Sequence, residues 1–295
     1  MTRSRWTPKI PGNIRVLAVS ATLICSAILS APMAQAATVV PYLAANFDSL
    51  PQGHISGAAY AKAFPGSPTA DGVYQDMAIV KDVRGGGNIL RTALYANTYH
   101  SSPNGRQNGA AFSIRLPQSY DRACISYELN FSRAFGFSWG GKLPGLQGAS
   151  ASSGQPVPAA GKPNPYGWSG RIMWLGPGAY RWAGPSNMAV SYMYHPEQTA
   201  DYGDNVRWNV AFAKGTWHRV QQCYVMNTIG KSDGILRAWM DGMLVVDDNA
   251  FVYRTMSDVH ITQISWNIFR GGHTSDWASP VDGLVYIDNV QVTSY

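Results

Sequence analysis

Lys142 stands in the segment WGGKLPGL at 139–146, preceded by two glycines and followed at Pro144 by a proline. Ser169 and Arg171 come later, then Tyr192 and Tyr194, two pairs at a spacing of two. Residues two apart on a strand point to one face of a sheet, so these five side chains are expected along one groove. The set holds two cations, two phenols and a hydroxyl, with no Asp or Glu. It suits gripping an anionic sugar and moving a proton better than hydrolysis by paired carboxylates.

The elements that must position these residues read as strands. Short runs rich in Val, Ile, Tyr, Phe and Trp recur along the chain, among them GAAFSIRLP at 109–117, CISYELNFS at 124–132, SGRIMWL at 169–175, MAVSYMYH at 188–195 and VYIDNVQVT at 285–293. They alternate as strands do, and 30 glycines and 18 prolines punctuate them. Asp241-Gly242 inside GILRAWMDGMLVV predicts a hairpin turn. The expected fold is all-β: a two-sheet antiparallel jelly roll of concanavalin-like form, whose concave face suits a polymer chain. The small-residue and proline stretch at 148–165 cannot build a core and is expected as a loop between Lys142 and Ser169. It is either a tolerated insertion or a lid over the groove.

Arg3, Arg5, Lys9 and Arg15 precede the apolar run at 16–31 and the AQA stretch at 34–36. This reads as a secretory signal peptide over residues 1–36, leaving one domain at 37–295. The leader carries four of the 23 basic residues and none of the 17 acidic ones, so the remainder holds 19 against 17. Nucleic acid is therefore set aside as a partner, and no later segment reaches the roughly 18 apolar residues of a membrane span. A secreted monomer, extracellular or periplasmic, is expected. Cys25 leaves with the leader. Cys124 and Cys223 remain either bridged or as two buried thiols, because sequence does not give the separation a bridge demands. No CxxC, HxxxH or HExxH spacing points to a metal, and Asp288-Asn289 is expected to belong to a turn or strand, not to a calcium site.

From about Ser113 to Val292 the chain resembles polysaccharide lyase family 14. The residues that carry the resemblance are GGKLPGL at 140–146, Ser169-x-Arg171-x-Met173-Trp174, Tyr192-x-Tyr194, DGILRAWMDG at 233–242, FRGG at 269–272 and IDN at 287–289, in that order. The resemblance implies a β-jelly-roll enzyme that cleaves alginate or a related polyuronate by β-elimination without an organic cofactor. It places Lys142, Ser169, Arg171, Tyr192 and Tyr194 in the catalytic groove. The segment PGAYRWAGPSN at 177–187 is longer than the family pattern and brings Tyr180 and Arg181 toward the groove.

Elimination removes the C5 proton beside an ionised carboxylate, so cations or strong donors must neutralise that carboxylate first. Arg171 and Lys142 fit this need. A free phenol ionises near pH 10, so a tyrosine base requires cations that favour the phenolate. On this reasoning Tyr194 is placed ahead of Tyr192 as the base, with Ser169 orienting the carboxylate. His195, His218 and His273 are alternative bases, although His195 alternates to the face opposite Tyr194. Trp139, Trp168, Arg181 and His273 are expected to bind sugar. A glycoside hydrolase would need two spaced carboxylates, and no such constellation appears. A lectin would need only exposed aromatics such as Trp139, Trp168 and Trp182. The order of expected substrates is alginate or polymannuronate, then glucuronan.

Overall fold

Alternation of apolar and polar residues produces sixteen strands among the residues that the computed structural model describes, namely 40–55, 62–69, 76–100, 109–158, 163–179 and 187–295. The leader, Cys25, Tyr180, Arg181 and Trp182 lie outside them. The strands are β1 (Leu43–Ala45), β2 (Gly53–His54), β3 (Ser67–Thr69), β4 (Met77–Lys81), β5 (Asn88–Leu94), β6 (Ala110–Tyr120), β7 (Arg122–Phe131) and β8 (Gly140–Ala149). They continue with β9 (Gly167–Leu175), β10 (Met188–Tyr194), β11 (Asp204–Ala211), β12 (Trp217–Val225), β13 (Gly234–Met240), β14 (Met243–Phe251), β15 (Ile261–Arg270) and β16 (Gly283–Thr293).

Two antiparallel sheets result. The larger runs β14-β13-β12-β7-β16-β5-β4-β2, with β1 also on β16, and the smaller runs β11-β10-β9-β8-β15-β6-β3. Their facing sides supply one core: Leu129, Phe131, Tyr224, Val285 and Ile287 from the first meet Trp168, Ile172, Trp174, Ile264 and Trp266 from the second. This is the expected jelly roll. The Asp241-Gly242 turn joins β13 to β14 with φ of 53° and 82°, the positive values that a tight hairpin turn demands.

Trp168 belongs to this core and is fully buried against Tyr224 and Tyr253, so the expectation that it binds sugar is corrected. The alternation that sends Ser169 and Arg171 to the outer side of β9 sends Trp168 inward.

Cys124 and Cys223 sit opposite each other on β7 and β12 and form a disulfide across a sequence separation of 99 residues. Replacing both by Ala is expected to cost about 2–5 kcal/mol of stability. Thermal melting should show the loss, and the groove on the other sheet should keep its activity at low temperature.

The IDN run lies on β16, where Asp288 Oδ2 accepts from Arg84 Nη2 at 2.8 Å. Arg270 of the FRGG run is fully buried and holds the carbonyls of Leu94, Tyr95, Gly136 and Val281. Both motifs therefore hold strands and loops in place.

Candidate active site

The smaller sheet turns its outer side to a cleft, and cross-strand register explains which residues meet there. Tyr192 pairs with Arg171, Tyr194 with Ser169, and Val190 with Met173. On the other side of β9, Met173 pairs with Lys142 and Arg171 with Gly145. Three steps along β8 thus match two along β9, a bulge that keeps Lys142 and Gly145 on the same face despite their odd spacing. A Cβ on Gly145 would fall 1.9 Å from the Gly170 carbonyl oxygen, which is why the bulge carries glycine.

Lys142, Arg171, Tyr192 and Tyr194 line this cleft of about 400 Å³ together with Trp139, His273, His100, Tyr202, Asn267, Phe269 and Trp277. No Asp or Glu is among the described lining residues. Met173, Met188, Val190, Tyr192, Tyr194 and Trp277 form an apolar cluster at its floor, separate from the main core. At Arg171 and Asn267 it meets a second cleft of about 760 Å³, lined by Arg115, Gln147, Gln155 and Gln263, again with no carboxylate among the described lining residues. The two clefts thus share Arg171 and Asn267 as lining residues.

Lys142 is 6% exposed, with Nζ 3.3 Å from Met173 Sδ and 4.2 Å from the centre of the Tyr192 ring. Burial, reinforced by the neighbouring Arg171 charge, pushes its pKa well below the ordinary lysine value. Gly271 leaves the amine its room, since a Cβ there would come within 3.0 Å of Nζ. The Arg171 guanidinium lies 5.4 Å from the centres of both the Tyr192 and Tyr194 rings, and the two phenol oxygens are 3.1 Å apart.

At Tyr194 burial works against the expected phenolate. Burial, together with the adjacent Tyr192 hydroxyl, raises its pKa above the free value, and these effects outweigh Arg171 and the Gly203 backbone N–H. The cations are present, but desolvation outweighs them and favours the protonated phenol.

Ser169 lies on the groove side but is fully buried, and its Oγ donates to the Pro158 carbonyl at 2.5 Å. The hydroxyl is committed to the loop, and the expectation that it orients a carboxylate is corrected. That loop is itself anchored, with Ser150 and Ser152 donating to Asp258, and Gly154–Val157 form a wall of the second cleft.

His195 pairs with Asp204 at 2.8 Å, and His218 pairs with Asp241 while accepting from the Ala213 backbone, so both are structural. His273 does reach the cleft, near His100. Burial, with His273, Lys142 and Arg171 nearby, lowers the His100 pKa to about 4, which makes it a neutral imidazole and a poor base. Sequence reasoning missed His100, Tyr202, Asn267, Phe269 and Trp277. Asn267 and Phe269 were readable from the alternation of QISWNIFR on β15, whereas His100, Tyr202 and Trp277 arrive on connecting segments.

A jelly roll whose carboxylate-free cleft gathers a buried amine, an arginine and paired phenols has the form of a polysaccharide lyase. The polysaccharide lyase 14 profile matches residues 83–290, and the chain belongs to that family. Among solved structures it is similar to the alginate lyase Aly36B (25% identity, TM-score 0.67, covering 86% of this chain and 98% of that one). It is also similar to the marine alginate lyase of Aplysia kurodai (22%, 0.72, 87% and 100%) and to the endo-β-1,4-glucuronan lyase of the fungus Trichoderma reesei (15%, 0.55, 87% and 96%). No curated protein matches the sequence significantly.

Proposed function

We propose that the protein is a secreted lyase that cleaves an acidic polyuronate by β-elimination, with the neutral amine of Lys142 as the base. The observation that carries this reading is the Lys142 amine, its pKa lowered by burial and by Arg171, in a cleft with no carboxylate among its described lining residues. Similar structures support the substrate class: Aly36B variants that replace a lysine by alanine were solved with an alginate trisaccharide and tetrasaccharide, and the Trichoderma enzyme is named for glucuronan. The amino-terminal leader and the disulfide fit an oxidising destination outside the cytoplasm.

In the proposed step Arg171 and the phenol hydroxyls hold the C6 carboxylate and offset its charge, which makes the C5 proton acidic enough to leave. Lys142 Nζ takes that proton. The C5–H electron pair becomes the C4–C5 double bond, the C4–O bond breaks, and the ammonium of Lys142 returns its proton to the departing oxygen. One group serves both events only where the C5 proton and C4 oxygen share a side of the ring, as in mannuronate and glucuronate. Polymannuronate therefore comes first as substrate, glucuronan second and polyguluronate last. The aromatic walls formed by Trp139 and Trp277 contact sugar faces.

Because Tyr194 acts as a donor and not as the base, Tyr194→Phe removes one hydrogen bond to a charged group. Steady-state kinetics should show kcat reduced roughly 10- to 100-fold but not abolished. Mass spectrometry of digests of polymannuronate, glucuronan and polyguluronate tests the reaction class. Elimination predicts fragments with an unsaturated end and no added water. Fragments carrying the mass of water, or intact polymer in all three digests, would overturn it.

A further inference from the structure

The larger sheet also carries a cleft, of about 520 Å³, on the side facing away from the core and from the catalytic groove. Lys81, Arg84, Arg91, Arg133, Trp217 and Tyr286 line it, again with no carboxylate among the described lining residues. Register explains the grouping: Arg91 pairs with Tyr286, Tyr286 with Asn130, and Asn130 with Trp217, one row across β5, β16, β7 and β12. Three strand spacings make this row about 14 Å long.

The neighbouring acids are already engaged. Arg84 alone binds Asp82, Glu128 and Asp288, and its guanidinium stacks 3.9 Å from the centre of the Trp217 ring, which fixes that ring at the cleft wall. Among the described residues neither Arg91 nor Arg133 has a carboxylate partner. The Nε atom of Arg91 is buried and has no hydrogen-bond partner among the described residues. Buried polar groups are normally satisfied, so an N–H in this position can donate to a ligand oxygen as its partner. Guanidinium groups take carboxylates through paired hydrogen bonds, and aromatic rings take the apolar faces of sugars.

We infer that this cleft is a second, non-catalytic binding site for an acidic polysaccharide segment, centred on Arg91 and Tyr286. The inference rests on the proposed polyuronate specificity and adds a site on the opposite sheet. A polymer held at both places is kept near the catalytic groove, because the second contact becomes intramolecular. Short fragments that fill only the groove gain nothing.

The test compares Arg91→Ala and Arg133→Ala, each checked by thermal melting, on trimannuronate and on polymannuronate. The inference predicts unchanged kcat/KM on the trimer and, for each variant, a rise in KM on the polymer of roughly threefold to tenfold. Calorimetric titration of Lys142→Met with polymannuronate should show binding that Arg91→Ala, added to that background, weakens by roughly threefold to tenfold. Wild-type cleavage with an unchanged polymer KM in both variants would overturn this inference alone. Failure of the wild type to bind or cleave any of the three polyuronates would overturn both readings. Tighter binding of polyuridylate than of polymannuronate, lost in Arg91→Ala, would assign the cleft to polyphosphates and overturn it.

Discussion

Lys142→Met is expected to lower kcat on polymannuronate by roughly 10²- to 10⁴-fold, the contribution of a positioned acid–base group, while binding of the polymer persists. The same substitution should raise the melting temperature. The folded-state pKa of Lys142 is depressed below its unfolded value. Between those two values the unfolded chain binds more protons, so the residue weakens the fold at neutral pH, and that penalty lifts only as pH rises toward the ordinary lysine range. Methionine fills a similar volume without a charge to desolvate, next to Met173 and the Tyr192 ring. A gain of about 1–2 kcal/mol is expected, readable by denaturant titration. Loss of turnover with a gain in stability is the signature of a residue kept for chemistry. A purely structural lysine would show the reverse.

Arg171→Ala should lower kcat by roughly 10²- to 10³-fold, the usual cost of removing a donor that stabilises charge developing in the transition state. Arg171→Lys should not restore the rate, since a point charge does not reproduce a guanidinium fork on a carboxylate. A second effect separates this role from simple damage. The Arg171 charge is one of the two causes that lower the Lys142 pKa. Its removal lets that pKa rise, so the residual activity of Arg171→Ala should need a higher pH than the wild type. A pH–rate profile checks this. An acid limb left in place would mean that the two groups are not coupled.

Much of this site was legible in the sequence because strand alternation is a strong constraint. Arg171, Tyr192 and Tyr194 meet as their spacing of two requires, and the argument that turned His195 away from the groove agrees with its pairing to Asp204. The same rule, applied one residue earlier, would have placed Trp168 in the core. The fate of Ser169 was not legible, because the Pro158 carbonyl reaches it from a loop eleven residues away along the chain. The choice between phenol and amine as base turns on a physical quantity that sequence does not supply: it gives a count of charges but not their burial. Two cations near a phenol suggest a phenolate, yet burial raises the pKa of the Tyr194 phenol and lowers that of the Lys142 amine. His100 and Trp277 reach the cleft through tertiary folding, with Trp277 on a single 3-10 turn at Ser275–Trp277.

The most direct test of the central claim is the pH dependence of kcat/KM on polymannuronate, followed by the ultraviolet absorbance of the C4–C5 double bond. The account predicts double-bond formation that rises with pH and levels off well below pH 10.5, as Lys142 loses its proton, and that is absent in Lys142→Met. No double bond at any pH, or a rate that keeps climbing beyond pH 10.5 as a phenolate base with a raised pKa would require, would contradict it.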